Sequence, residues 1–516
     1  MRPKIKWGAF LFIVLALSWL LVSVSFPRVA APTTGAQRTI FILVDFQDVR
    51  HTKNPEEVKR EVFDQVNLYY QSDSYNATWF IGDVTTKWYQ LPGNFSSYAV
   101  WPNRQGPQHW ERARPLMEAA IRAADSDVDF SKYYHVVILH AGWNWPTPAG
   151  VVGFGVSFFY GGNPDFAIPT NDGVSVSNLT VIAEYDSLAV IVHELAHALS
   201  MTANGSPVVP DLYDTEAFNH NLAGNNWMGS WDLMSSQMRS GVPQGHSAWT
   251  KLKLGWFKDP WVLRLMKGQD ANVTLAPLES APDLDAVIVV MIKLSPNTYY
   301  LLENRQRTGV DRELTDYGML VTLANDQLYP NGNGPVRVVV CPNCDVDHAT
   351  FDLRSGKSAI FKDDTVNLTV VIMKETGADM QLRIGWGPEA LVALKESATS
   401  AISTANVTIQ AAASQGRTVG LQGATILLFN ALDSFNKGDY SSAIMLAQQA
   451  EQAASSAISP KSPTTVTTSS KSSTPLGSTA LPQWYLTYLT ILAIVGIMAV
   501  IIAQFIRSRN QKKTGL

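Results

Sequence analysis

Apolar runs and amphipathic stretches alternate through the first half of the chain. Thr39-Ile-Phe-Ile-Leu-Val-Asp45 is an apolar run bounded by polar residues and predicts a buried strand. Lys53 to Ser72 carries Pro55 near its start and Val58, Val62, Phe63 and Val66 at helical spacing, which predicts a helix. Trp79 to Leu91 alternates as sheet, Arg112 to Ala124 predicts a second amphipathic helix, and His135-Val-Val-Ile-Leu-His140 predicts another buried strand. Strands alternating with helices indicate an α/β unit over residues 35–260.

Beyond it the pattern shortens. Residues 261–387 hold β-rich runs at Ala286–Lys293, Thr298–Glu303, Met319–Leu323, Val336–Val340 and Val366–Met373, expected as a β-rich domain. Over 388–458 alanine becomes frequent while proline and aromatics nearly vanish, which predicts a helical hairpin or bundle. Phe435 to Tyr440 reads as a turn inside it, with Gly438 as the helix stop and Ala443, Leu446, Ala447 and Ala450 on the stripe of the helix that follows. Residues 459–481 are a Ser/Thr/Pro-rich stalk.

The ends carry address signals. Arg2, Lys4 and Lys6 precede an uncharged run from Trp7 to Phe26, so residues 1–31 read as a signal peptide cut near Ser23-Val-Ser25, or as an N-terminal anchor. Residues 482–506 are apolar over a length that fits a transmembrane helix. The basic tail, 507–516, holds Arg507, Arg509, Lys512 and Lys513, which sets it on the cytoplasmic side and the rest outside. The expectation is a single-pass protein of the cell membrane with an extracellular catalytic domain. N-x-Ser/Thr sequons at Asn76, Asn94, Asn178, Asn204, Asn272, Asn367 and Asn406 agree with a glycosylated outer part.

Composition narrows the partners. The 516 residues are 46% hydrophobic and 16% charged with a net charge of −4, and this lack of basic bias argues against a nucleic-acid partner. The two cysteines stand in Cys341-Pro-Asn-Cys344, expected as a local disulfide; half of a metal site with His348, or a surface redox pair, are the alternatives.

The candidate chemistry lies in Tyr185-Asp-Ser-Leu-Ala-Val-Ile-Val-His-Glu-Leu-Ala-His-Ala-Leu199. Asp186 or Ser187 caps a helix whose buried stripe includes Leu188, Leu195 and Leu199. Residues four apart share a helix face, so His193 and His197 can bind one metal ion, with Glu194 beside the first as general base. Two histidines and a glutamate in so apolar a helix are costly to bury without partners, and a metal satisfies all three. Asp211, Asp214, Glu216 and His220 are candidates for a third ligand. His246 and Tyr213 are candidates for stabilising an oxyanion.

An ordered series of blocks resembles the immune inhibitor A family of secreted zinc metallopeptidases. The blocks are Ile42-Leu-Val-Asp-Phe46, Tyr69-Tyr70, Ser74-Tyr75, Gly82-Asp-Val84, His193-Glu-Leu-Ala-His197, Pro210-Asp-Leu-Tyr-Asp214, Trp231-Asp-Leu-Met-Ser235, Ser247 to Trp256 and Tyr299 to Arg305. The resemblance implies Asp211 as third ligand, Met234 in a methionine turn beneath the metal and one catalytic Zn2+; since calcium sites occur in the family, it also allows a Ca2+ site to which the acidic stretch 211–216 contributes. Two departures stand out: Ser200 occupies the family's glycine position, and the interval from His197 to Asp211 is lengthened around Asn204-Gly205.

The expected fold is thus an α/β (α+β) metzincin-like zinc peptidase domain, then a β-rich segment, a helical hairpin or bundle and one C-terminal transmembrane helix. The expected function is a membrane-anchored extracellular zinc metalloendopeptidase acting on protein or peptide, with Glu194 as base. The alternative is a catalytically inactive peptidase-fold surface binding or cell-envelope protein. No oligomeric state is implied.

Overall fold

The computed structural model describes residues 33–99, 109–144, 157–161, 167–199, 209–214, 226–235, 241–280, 285–328, 334–354, 357–387 and 389–459. The expected signal or anchor segment 1–31, the expected stalk from residue 460 onward and residues 482–516 lie outside the described residues. Ser200, Asn204, Gly205, Glu216 and His220 lie outside them as well.

The first sheet is built around β1 (Gly35–Asp45). The sheet's other strands are β2 (Thr78–Val84), β3 (Tyr89–Gln90), β4 (His135–His140), β5 (Phe158–Gly161) and, after the small β6–β7 hairpin (Ile168–Pro169, Ser175–Val176), β8 (Asn178–Ala183). The strand order is β2-β1-β4-β8-β5, with β3 also beside β1; every pair is parallel except β5 against β8. The apolar run of β1 is explained by burial on both faces. Phe41 and Leu43 face one core with Val58, Val62 and Ile191, while Ile40, Ile42 and Val44 face another with Leu116, Met117 and Ala120. Gly82 allows β2 to lie this close: at φ +150° its missing Cβ would fall 1.8 Å from Thr39 O.

The helix predicted from Lys53 to Ser72 comes in three parts. α1 (Pro55–Lys59) opens on a capping box, with Asn54 Oδ1 accepting Glu57 N at 3.0 Å and Glu57 Oε2 accepting Asn54 N at 2.8 Å. A π-helical turn over Arg60–Gln65 then leads to α2 (Val66–Asp73). The wider turn keeps Val58, Val62 and Val66, spaced by four, over the sheet before the register passes to Tyr69 and Tyr70. On the other face of the sheet lie the four-residue α3 (Phe95–Tyr98) and α4 (His109–Ala124).

Residues 261–387 form two sheets. β9 (Val262–Met266), β11 (Val289–Lys293), β12 (Thr298–Arg305), β13 (Gly318–Asn325) and β14 (Val336–Val338) make one, in the order β14-β13-β12-β11-β9. β10 (Ala271–Leu275), β15 (Ile360–Asp363), β16 (Leu368–Thr376) and β17 (Asp379–Trp386) make the other, antiparallel in the order β10-β17-β16-β15. Between them lies a core of Val290, Ile292, Leu302 and Val321 against Phe361, Val370, Leu382 and Ile384. The opposite face of the first of these sheets is not solvated. Val289, Met291, Leu301 and Leu320 join Trp231 and Trp249 in the core of residues 35–260, so the β-rich segment shares a wall with the preceding unit.

The three helices of the Ala-rich segment, Glu389–Ser414, Leu421–Asn436 and Tyr440–Ser455, pack through Ala405, Ala431, Ala447 and Ala450. Gly438 at φ +82° makes the predicted turn, and Asp439 caps the last helix at Ser442 N. The expected transmembrane helix is corrected here: among the described residues no helix is long and apolar enough to cross a membrane, and residues 482–506 lie outside them. The fold described is mixed α/β with a β-sandwich and a helical bundle, and no membrane helix is among its elements.

A buried ion pair joins Asp73, the last residue of α2, to Lys251 and His246. Lys251 Nζ lies 2.8 Å from Asp73 Oδ1, and His246 Nδ1 lies 2.5 Å from Asp73 Oδ2. Burial pushes the Asp73 carboxyl up, and Lys251 and His246 outweigh it, leaving its pKa well below the usual carboxylate range. A depressed carboxylate stabilises the fold fully above its unfolded value near 3.8, and that contribution fades as the pH falls below it. Asp73→Ala strands Lys251 as an uncompensated buried charge and is expected to cost about 3–5 kcal/mol. The denaturant midpoint of the variant checks this, and the deficit relative to the wild type is expected to shrink below about pH 4.

Candidate metal centre

Glu184 directly follows β8, and its carboxylate gathers separate pieces of chain. Its Oε1 accepts Thr52 N and Lys53 N at 2.6 Å and Thr52 Oγ1 at 2.8 Å, which fixes the start of α1 to the end of the sheet. Asp186 then accepts Ala183 N at 2.8 Å and Asn144 Nδ2 at 2.7 Å, and Ser157 Oγ donates to it at the head of β5. With Asp186 so engaged, Ser187 heads the helix: its carbonyl accepts Ile191 N at 3.1 Å.

α5 (Leu188–Leu199) is buried through nearly all its length, including His193, Glu194 and His197. Tyr70 Oη donates to Val192 O at 2.5 Å and ties this helix to α2. His193, His197 and Asp211 each present a ligand atom, all within 4.8 Å of one another, and can hold a metal ion. Asp211 Oδ1 lies 3.2 Å from His193 Nε2 and 3.3 Å from His197 Nε2.

The far side of each ring explains why both Nε2 atoms point into the group. His193 Nδ1 donates to Leu233 O at 3.0 Å, and His197 Nδ1 donates to Val209 O at 2.8 Å. A carbonyl can only accept, so both Nδ1 atoms carry hydrogen, and in the neutral rings the Nε2 lone pairs are left for a cation. Burial opposes a charge on His193, and the hydrogen bond and charge of Asp211 together with Glu194 outweigh it, holding its pKa near 9. Burial also dominates at Glu194, whose carboxyl is pushed up to about 7 against the pull of His193 and His197.

Met234 is fully buried in the turn beneath His193. Its carbonyl accepts Leu212 N at 2.8 Å, stapling the Asp211 segment to the turn. Asp232 holds that turn from within: Oδ1 accepts Met234 N at 2.8 Å, and Oδ2 accepts Ser247 N at 2.8 Å and Thr250 Oγ1 at 2.7 Å at the start of α6 (Ala248–Leu254). Arg305, at the end of β12, donates from Nη1 to Trp231 O at 2.6 Å and is surrounded by Asp311, Glu279 and Glu303 in complete burial.

The sequence candidates therefore separate. His193, Glu194, His197, Asp211 and Met234 come together, and Tyr213 lies half-buried two residues past Asp211. His246 does not join them as an oxyanion donor: it is fully buried against Asp73 and Tyr69. Asp214 is half-buried, and Cys341 and Cys344 form a disulfide rather than a metal half-site with His348. Among the described residues no second metal-competent cluster accompanies the His193 group. Asp232, Arg305 and Glu184 were not anticipated, although Asp232 and Arg305 lie inside blocks singled out by resemblance. Compared with known proteins, the sequence matches no family profile and no characterised relative.

A divalent metal at a hundredfold excess over its dissociation constant is expected to stabilise the fold by about 2.7 kcal/mol. The rise in unfolding midpoint should vanish in His193→Ala and Asp211→Ala, and differential scanning calorimetry with and without zinc or a chelator measures it.

Proposed function

We propose that this chain is a zinc-dependent endopeptidase acting outside the cytoplasm, similar to the immune inhibitor A family in its site residues. The observation that carries the reading is the His193–His197–Asp211 group, its imidazoles oriented by backbone carbonyls, with a buried carboxyl next to the first ligand. Two imidazole nitrogens and one carboxylate oxygen are the donor types zinc prefers, and three protein ligands leave a coordination position for water or substrate. Bound there, zinc supplies Lewis acidity toward a peptide carbonyl and a water molecule.

The chain's own residues do the rest. Glu194, next to His193 on the same helix, accepts a proton from the water and delivers it to the departing amine. The raised proton affinity that burial gives Glu194 suits both halves of that transfer. Tyr213 is the candidate donor to the developing oxyanion. The antiparallel β5, which follows Ser157 and ends the first sheet, supports a substrate bound in extended form. The Cys341–Cys344 disulfide supports an oxidising location.

Glu194→Gln is expected to retain zinc and lose about 10²–10⁴-fold in kcat on an unfolded protein substrate. Zinc content by atomic absorption and a quenched-fluorescence peptide assay test it together. Unchanged turnover refutes the base assignment; zinc bound by a wild type that cleaves nothing favours a surface binding protein on the same fold.

A further inference from the structure

The turn beneath His193 is braced from the β-rich segment, and the brace is closed by the disulfide. Cys341 and Cys344 are joined with their Cα atoms 5.3 Å apart, and Cys344 N donates to Cys341 O at 3.1 Å. The next residue, Asp345, accepts the backbone N–H groups of Asp347 and His348 at 3.0 and 2.9 Å and sets a short 3-10 turn over Val346–His348. From that turn Asp347 Oδ1 accepts Ser230 N at 2.8 Å, and Val346 O accepts Trp231 Nε1 at 2.7 Å. Thr315 Oγ1 donates to Asp347 O at 2.9 Å and fixes the turn from behind. The fit is close: at Gly229 a Cβ would come 2.6 Å from Asp347 Oδ1. Two residues past Trp231, Leu233 O takes the Nδ1 hydrogen of His193.

We propose that Val346 and Asp347 are positioning residues of the metal centre and that the Cys341–Cys344 bridge holds them in place, so that reducing it loosens the metal. This rests on the metal-centre reading above. A bridge that closes so short a loop contributes less to global stability than a long-range one, and its main effect is local order. Breaking it frees the segment leading into Asp345 while the sandwich core stays packed.

The chemistry is ordinary thiol exchange with an external dithiol as reductant. Cys341 is buried and Cys344 is the more accessible sulfur. A thiolate of the reagent attacks Cys344 Sγ, the S–S bond breaks, and Cys341 leaves as a thiolate that takes up a proton. The reagent's second thiol then attacks its own sulfur in the mixed disulfide and releases Cys344 as a thiol. Two electrons have passed to the protein, and the reagent departs as a cyclic disulfide.

The test measures zinc affinity of the purified full chain by competition with a chromophoric chelator, before and after a dithiol, with thiol titration showing both sulfurs free. Loss of an outer-shell brace is expected to weaken affinity about 10–100-fold, reversibly on reoxidation. The Cys341→Ser/Cys344→Ser double variant should show the same loss and no response to the dithiol. Asp347→Ala should weaken zinc likewise, whereas Asp347→Asn, which keeps the Oδ1 acceptor, should retain it. With cobalt in place of zinc, the visible absorption should change on reduction as the ligand geometry relaxes. Wild-type affinity and cobalt spectrum unchanged in fully reduced protein overturn the proposal and leave the metal centre standing. A wild type that binds no zinc in either state overturns the metal-centre reading, and this proposal with it.

Discussion

Two hydrogen bonds from imidazole to backbone carbonyl set the character of the whole centre. His193 and His197 could turn either ring nitrogen inward, and the acceptors at Leu233 and Val209 decide which. Each acceptor belongs to a loop rather than to the helix that carries the histidines. The His193–His197–Asp211 group is therefore only as well defined as the loops that supply those oxygens, and the contacts of Asp232, Arg305 and the Met234 carbonyl hold those loops still.

The braces come from every layer. Asp232 locks the Met234 turn from within, Arg305 reaches it from β12, and the Val346–His348 turn reaches it from beyond β14. Arg305 is buried with three carboxylates, an arrangement whose desolvation is severe. Burial weighs against the Arg305 charge, and Asp311, Glu303 and Glu279 more than offset it, while burial pushes the Glu303 carboxyl up to about 7. Such a cluster is poor as a source of stability and good at specifying one geometry. Its location fits that role, because it sits where the two-sided sheet of residues 261–387 meets the core of residues 35–260.

Local pattern made much of the frame legible. The strands at Thr39–Asp45 and His135–His140, the helix carrying His193 and His197, and the turn at Gly438 follow from apolar spacing and backbone freedom alone. The third ligand was open on residue chemistry, with Asp214, Glu216 and His220 beside Asp211, because a carboxylate's partners lie across the fold and not along the chain. The carbonyls of Leu233 and Val209 could not be read at all, since every residue has one. His246 had the right chemistry for an oxyanion donor, but its partner Asp73 lies 173 residues away in sequence and takes it into the interior. A signal was available for the shared wall: the unbroken apolar run Val287-Ile-Val-Val-Met-Ile292 shows no alternation, as expected of a strand covered on both faces.

The brace formed by Arg305 and Asp347 has a bearing on when the centre comes into being. The residues that could hold a metal are complete by Asp211, yet the groups that aim them include Arg305 in β12 and Asp347 in the turn over Val346–His348, more than ninety positions further along the chain. Contacts of such long range form late, because chain closure must precede them. A chain made as far as Asp211 thus carries its histidines and carboxylates before the groups that aim them exist. The alignment of His193, His197 and Asp211 therefore waits on the β-rich segment, although the sequence that carries all three is complete well before it.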